Sequence, residues 1–128
     1  MINIGIIGLG RISKKHLNAI NKNRNFKLTA VCDIDQTKLD QIKLPKINKY
    51  KSIDLMISNE NLEMVSILTP SGYHLKNFLE VSKNVKNILV EKPLTTSSKD
   101  AKKLSLVAKR NNNRVFVVMQ NRFNKPIL

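Results

Sequence analysis

The sequence predicts an α/β domain built on a doubly wound, mostly parallel sheet. Short apolar runs rich in β-branched residues alternate with stretches of helical periodicity along the whole chain, and a glycine-rich turn stands directly after the first of those runs. Length agrees, because 128 residues suit one domain with a real core and are too few for that domain plus a second module.

Strands are expected at Ile2 to Ile7, Leu28 to Asp33, Met64 to Thr69, Asn87 to Glu91 and Arg114 to Met119. Each is apolar and lacks strict alternation, the pattern of strands buried on both faces. The first helix follows from Ile12, His16, Ala19 and Ile20, which recur on one helical face. Gln36 to Asn59 is expected to hold two short helices flanking a weak strand near Ile47 to Tyr50, with Pro45 as a break. Leu75, Phe78, Leu79 and Ser82 mark a further helix face. A last helix over Ser98 to Arg110 turns Ala101, Leu104, Val107 and Ala108 inward, with Thr96 or Ser97 as its N-cap and Asn111-Asn112-Asn113 as its stop. Right-handed crossovers then give strand order 3-2-1-4-5-6. Residues 1–120 make the cofactor domain under this reading. Residues 121–128 complete no element and read as the entry to a substrate domain that is missing from this chain.

Composition narrows the function classes. Apolar residues are 41% and charged residues 25% of the chain, near soluble averages, and no apolar run approaches the ~20 residues that cross a bilayer. The N-terminus enters a strand without the basic region and cleavage site of a signal peptide, so a cytoplasmic location is expected. The single cysteine, Cys32, lies in an apolar run, has no disulfide partner and agrees with a reducing compartment. The net charge of +14 would by itself suggest a nucleic-acid partner, but the basic residues are scattered as Lys14-Lys15, Lys43, Lys46, Lys49, Lys51, Lys102-Lys103 and Lys109-Arg110. They read as a solvated surface. With four Phe, two Tyr and no Trp, an aromatic platform for single strands is poorly supplied. Neither a nucleic-acid nor a membrane partner is expected, and no metal site.

The chemistry concentrates at the ends of the expected strands. Gly8-Leu9-Gly10-Arg11-Ile12-Ser13 is a G-x-G-x-x-S form of the dinucleotide fingerprint at a strand-to-helix turn. Gly8 permits the tight turn, Gly10 lets the backbone approach a pyrophosphate, and Ser13 is small enough for close helix–strand packing. Open amides and the dipole at the helix start favour phosphates, so Arg11 and Ile12 join the cofactor set. Asp33 stands at the end of the second strand, about 25 residues after Gly8, near the ~20 that the fingerprint asks for. Its carboxylate suits both adenosine ribose hydroxyls and repels a 2′-phosphate, which favours NAD over NADP. Asp35 either shares that work or is a solvated loop acid.

Thr69-Pro70-Ser71-Gly72-Tyr73-His74 follows the fourth strand at the carboxyl edge of the sheet, where open α/β folds bind ligands. Thr69, Pro70, Ser71 and Gly72 are expected to pass under the nicotinamide side, the alternative being an ordinary turn, and His74, which opens the next helix, joins the cofactor set. Glu91-Lys92-Pro93 puts a charged pair at the end of an apolar strand, and Lys92 is the catalytic candidate because an ammonium near the cofactor ring donates to a reacting oxygen. His16 reads as a helix–sheet core histidine.

Taken together, Gly8-x-Gly10-x-x-Ser13-x-x-His16, Asp33, Thr69-Pro70 with His74, Glu91-Lys92-Pro93 and Asn121-Arg122-Phe123 resemble the glucose-fructose oxidoreductase/inositol dehydrogenase/rhizopine-catabolism family over essentially the whole chain. The resemblance implies a Rossmann domain in which Gly8, Gly10 and Asp33 bind NAD(P). It also implies that Lys92 touches substrate and nicotinamide, that Glu91, Asn121 and Arg122 lie near the cofactor, and that the peptide before Pro93 is cis. It implies hydride transfer with a secondary alcohol of a sugar, nucleotide sugar or cyclitol, and a homo-oligomer when intact. Val65 to His74 and Val117 to Asn124 resemble more narrowly the branch acting on UDP-N-acetylated sugars. The family's substrate domain is absent, so this chain is expected to hold cofactor without turning substrate over. The alternatives are a stand-alone NAD-sensing module and a basic nucleic-acid binder.

Overall fold

The computed structural model describes residues 1–119. Its elements run β1 (Ile2–Ile7), α1 (Ser13–Lys22), β2 (Phe26–Cys32), α2 (Gln36–Gln41), β3 (Asn48–Tyr50), α3 (Ile53–Asn59), β4 (Met64–Ile67), α4 (His74–Val81), β5 (Asn87–Val90), α5 (Ser98–Arg110) and β6 (Arg114–Val117). One 3₁₀ turn, Ser71–Tyr73, leads into α4. All pairings are parallel, and the six strands lie in the order β3-β2-β1-β4-β5-β6. This is the expected topology.

Alternation along the strands sends side chains to two separate cores. Ile7, Ala30, Cys32, Val65, Ile67, Ile88 and Val90 point to the face covered by α3, α4 and α5, where Phe78 and Met56 are fully enclosed. Ile4, Ile6, Leu28 and Val31 point to the other face and meet Ile20 of α1 and Leu39 of α2. Each large side chain so enclosed contributes roughly 1.5–3 kcal/mol of transfer free energy. The segment from Gln36 to Asn59 folds as two short helices around β3. Asp35 caps α2 through the Thr37 amide, and Ser52 caps α3 through the Leu55 amide. Ser97, rather than Thr96, caps α5 by accepting from the Asp100 amide, and Leu104 and Ala108 are buried as expected.

Three expectations need correcting. Ala19 is exposed, because the inward face of α1 is rotated toward Ser13, Leu17 and Ile20. Strands two, four, five and six each stop one or two residues short of the expected end, at Cys32, Ile67, Val90 and Val117. The next residue of each still donates its amide to the neighbouring strand, Asp33 to Tyr50 O, Leu68 to Ile7 O, Glu91 to Ile67 O and Val118 to Val90 O, before the chain enters the loops at the carboxyl edge. Finally, β6 is not buried on both faces among the described residues: Val115 packs toward α5, whereas Phe116, on the face where the described helices are α1 and α2, is 46% exposed.

Candidate functional site

The strand order reverses direction between β1 and β4, and a crevice opens there beyond the carboxyl ends of the strands, the place where open α/β sheets take ligands. Its volume is about 710 Å³, within the roughly 300–1,000 Å³ of cofactor pockets. Gly8, Gly10, Arg11, Ile12, Asp33, Thr69 and Pro70 all line it.

The turn from β1 into α1 is shaped by backbone demands. Gly8 has φ +93°, and its amide donates to Cys32 O at 2.8 Å, which draws the turn against the end of β2. A Cβ on Gly8 would lie 2.8 Å from the Leu68 carbonyl carbon and the Thr69 nitrogen, so only glycine lets β1 and β4 close together here. Around Gly10 there is open space: an added Cβ meets nothing within 4 Å. The Ser13 hydroxyl donates to Gly10 O at 2.7 Å and fixes the first bend of the helix. No side chain caps α1 at Ile12, in contrast to α2, α3 and α5, and its first turn carries no acid. The helix start is therefore free to receive an anion from the cleft.

Asp33 is 9% exposed and already at work within the protein. The Leu9 amide donates to its Oδ2 at 2.7 Å, the Asp35 amide donates to its Oδ1 at 2.9 Å, and Lys38 Nζ stands 3.9 Å from Oδ2. Each oxygen retains an acceptor direction for a ribose hydroxyl. Asp35 serves instead as the α2 cap, and its hydrogen bond from the Thr37 hydroxyl holds its carboxyl below the usual range. Cys32 also lines the cleft, but burial, reinforced by the charges of Asp33 and Glu80, pushes its thiol up to about 12. It stays protonated and chemically quiet.

The β4 loop and the β5 end divide the remaining candidates. Thr69 and Pro70 face the cleft, with the Thr69 hydroxyl donating to Asn77 Oδ1 at 2.7 Å. His74 does not line the cleft: it is 1% exposed, with Nδ1 2.8 Å from Pro93 O and Nε2 2.7 Å from Thr69 O. Its polar atoms are spent on the backbone. Glu91 is 6% exposed and likewise occupied, accepting from His16 Nε2 at 2.9 Å and from the Lys92 amide at 3.1 Å. His16 is thus half-buried between α1 and the end of β5, with Glu91 as its partner. Lys92 is exposed just past the end of β5 but is not among the residues that line the cleft, and its peptide bond to Pro93 is cis. Asn121 and Arg122 lie outside the described residues.

Sequence reasoning missed Ile34, Lys38, Tyr73 and Asn77, which also line the cleft. Ile34 is 85% exposed directly after Asp33, and an apolar residue placed between two acids at a strand end was the available signal for a flat apolar surface there. Among the described residues no group of His, Cys, Asp or Glu is arranged to hold a metal ion, and no helix is long and apolar enough to cross a membrane.

This sheet order, with a glycine turn and an acid-tipped second strand around one cleft, defines a dinucleotide-binding domain. The family model for the GFO_IDH_MocA oxidoreductase family, NAD-binding Rossmann fold, matches residues 2–119, and the chain belongs to that family. A dehydrogenase of 1-carboxy-3-chloro-3,4-dihydroxycyclohexa-1,5-diene from Comamonas testosteroni is 30% identical over 127 residues, covering 97% of this chain and 32% of that protein. Among solved structures, the WlbA dehydrogenase from Bordetella pertussis, in complex with NADH and UDP-GlcNAcA, superposes with TM-score 0.90 at 31% identity, covering 96% of this chain and 38% of that one. Scyllo-inositol dehydrogenase from Lactobacillus casei, with bound NAD(H) and scyllo-inositol, gives TM-score 0.88 at 27% identity, covering 97% and 38%. The chain therefore spans about a third of the length of the relatives it matches.

Proposed function

We propose that this chain is the cofactor domain of an NAD-dependent dehydrogenase acting on a secondary alcohol of a sugar, nucleotide sugar or cyclitol. The observation that carries the reading is the convergence in one cleft of the Gly8–Gly10 turn, the uncapped start of α1 and the Asp33 carboxylate, with Lys92 on the same edge. Gly10 leaves room for a pyrophosphate against the α1 amides, Asp33 accepts the adenosine ribose hydroxyls, and Thr69 and Pro70 border the far half of the cofactor. Bound there, NAD supplies a hydride acceptor. Lys92 would donate a hydrogen bond to the reacting oxygen and stabilise charge on it, while the hydroxyl proton would pass to a base from outside the described residues and the hydride to NAD. The neighbouring likeness to a structure holding UDP-GlcNAcA supports a nucleotide sugar within the substrate class. Residues 1–120 serve as the cofactor domain and 121–128 lead toward a substrate domain, in a cytoplasmic protein that assembles with copies of itself.

The test is an NADH fluorescence titration of the chain and of Asp33→Ala. The mutant is expected to bind at least tenfold more weakly, about 1.4 kcal/mol. Equal affinity in a folded mutant refutes the ribose assignment.

A further inference from the structure

The chain has two histidines, and both grip the tripeptide that carries Lys92. His16 comes from α1, on one face of the sheet, and its Nε2 holds Glu91 Oε1 at 2.9 Å. The second Glu91 oxygen accepts the Lys92 amide at 3.1 Å. His74 comes from α4, on the opposite face, and its Nδ1 stands 2.8 Å from the carbonyl oxygen of Pro93. Its Nε2 reaches Thr69 O, 2.7 Å away, in the loop that lines the cleft. Lys92 is thus fixed through the residue before it and the residue after it, from two sides.

We infer that His16 and His74 are positioning residues that set the backbone of Lys92 relative to the cofactor cleft. This rests on the catalytic reading of Lys92 above. β5 ends at Val90, so beyond the Glu91 amide, which still donates to Ile67 O at 3.0 Å, the tripeptide has left the strand ladder. A lysine side chain has four rotatable bonds, and productive geometry tolerates about 0.5 Å of error, so the point where it is anchored must not drift. A carboxylate buried at a strand end is costly unless paired and hydrogen-bonded. Glu91 is paired with α1, the same helix whose start faces the pyrophosphate side of the cleft. The grip therefore refers Lys92 to the α1 helix on one side and to the Thr69 loop on the other. A neutral imidazole has one N–H to offer two carbonyls, so His74 makes one hydrogen bond at a time unless doubly protonated. His16 to Glu91 is the less ambiguous arm.

The experiment measures amide hydrogen exchange by NMR on the cofactor-free 128-residue chain, comparing wild type, His16→Ala and His16→Gln. His16→Ala is expected to speed exchange at the Lys92 amide at least tenfold while amides of β1 and β4 change less than twofold. His16→Gln, which keeps an N–H donor for Glu91, is expected to return Lys92 to within threefold of wild type. Unchanged Lys92 exchange in His16→Ala overturns the inference, as does a uniform rise across the sheet, which marks a merely structural histidine. Should His16→Ala fail to fold, His16→Gln against Glu91→Gln replaces it, with the Lys92 amide in Glu91→Gln expected to exchange at least threefold faster and equal rates overturning the inference. NADH titration of the same samples separates the two readings: wild type failing to bind NADH sinks the proposed function, whereas the exchange result judges the grip without cofactor.

Discussion

Replacing each fingerprint glycine by alanine should separate the fold of the turn from its ligand. At Gly8 the new methyl would sit 2.8 Å from two backbone atoms of the β4 end and 3.0 Å from a third, at φ +93°. Carbon atoms prefer about 3.5–4.0 Å, and the Leu68–Thr69 backbone just past β4 is held in place by the Leu68 amide donating to Ile7 O at 2.7 Å. A left-handed conformation costs an L-residue roughly 1–2 kcal/mol and forced overpacking about 1–3 kcal/mol, so Gly8→Ala should lose about 2–5 kcal/mol of a stability of order 5–15 kcal/mol. For a domain of this size that is a fall in Tm on the order of 10 °C. At Gly10 an added Cβ meets nothing within 4 Å. Gly10→Ala should therefore hold its stability within about 1 kcal/mol, with a slight gain from a stiffer unfolded chain. Yet the methyl projects where a pyrophosphate must approach, and NADH affinity should fall at least tenfold, about 1.4 kcal/mol. Thermal unfolding without ligand and NADH fluorescence titration read the two effects. The reasoning is refuted by a Gly10→Ala that binds as wild type, or by a Gly8→Ala that melts with it.

Two other outcomes follow from the core. The Cys32 thiol is raised from 9.0 to about 12 mainly by burial, so the folded state holds that proton more tightly. The stability it contributes is complete below pH 9 and is lost as pH rises toward 12, by at most about 4 kcal/mol. Urea denaturation across that range should show a steep alkaline decline that is shallower in Cys32→Ala, and parallel declines would contradict the assignment. Phe78, fully enclosed in the α3–α4–α5 core, should cost about 3–5 kcal/mol when cut to alanine. A loss under 1 kcal/mol in urea titrations would show that this core does not pack as described.

The strand order was legible because β-branched runs and right-handed crossovers leave few topologies, and even the ambiguous stretch around β3 resolved correctly from Pro45 and the short polar segments beside it. Strand ends were not legible. Asp33, Thr69 and Glu91 directly follow the apolar runs, and the Asp33 and Glu91 amides still bond to the neighbouring strands, so a shift of one or two residues in where the ladder ends leaves no mark in the sequence. That Gly8, Gly10 and Asp33 border one cleft was readable because glycines after the first strand and an acid after the second stand at neighbouring strand ends. The partners of His74 and Glu91 were not readable: a polar residue at the carboxyl edge serves a ligand or the backbone equally well, and sequence does not say which carbonyl or imidazole stands opposite. The partner of His16 lies 75 residues away, beyond any local pattern. Ala19 was misplaced because helix periodicity defines a stripe but not its rotation, which Leu17 and Ser13 settle by contact.

The amides around Asp33 carry one more implication. Leu9 and Asp35 donate to that carboxylate from within the chain itself, so the conformational entropy of arranging the turn belongs to folding. A ligand entering such a preorganised cradle gives up mainly its own freedom, which raises the affinity obtained from few contacts. The same economy has a kinetic face. A cradle that need not rearrange admits its ligand at rates set by diffusion and orientation, and differences among dinucleotides and their fragments should appear in how slowly they leave.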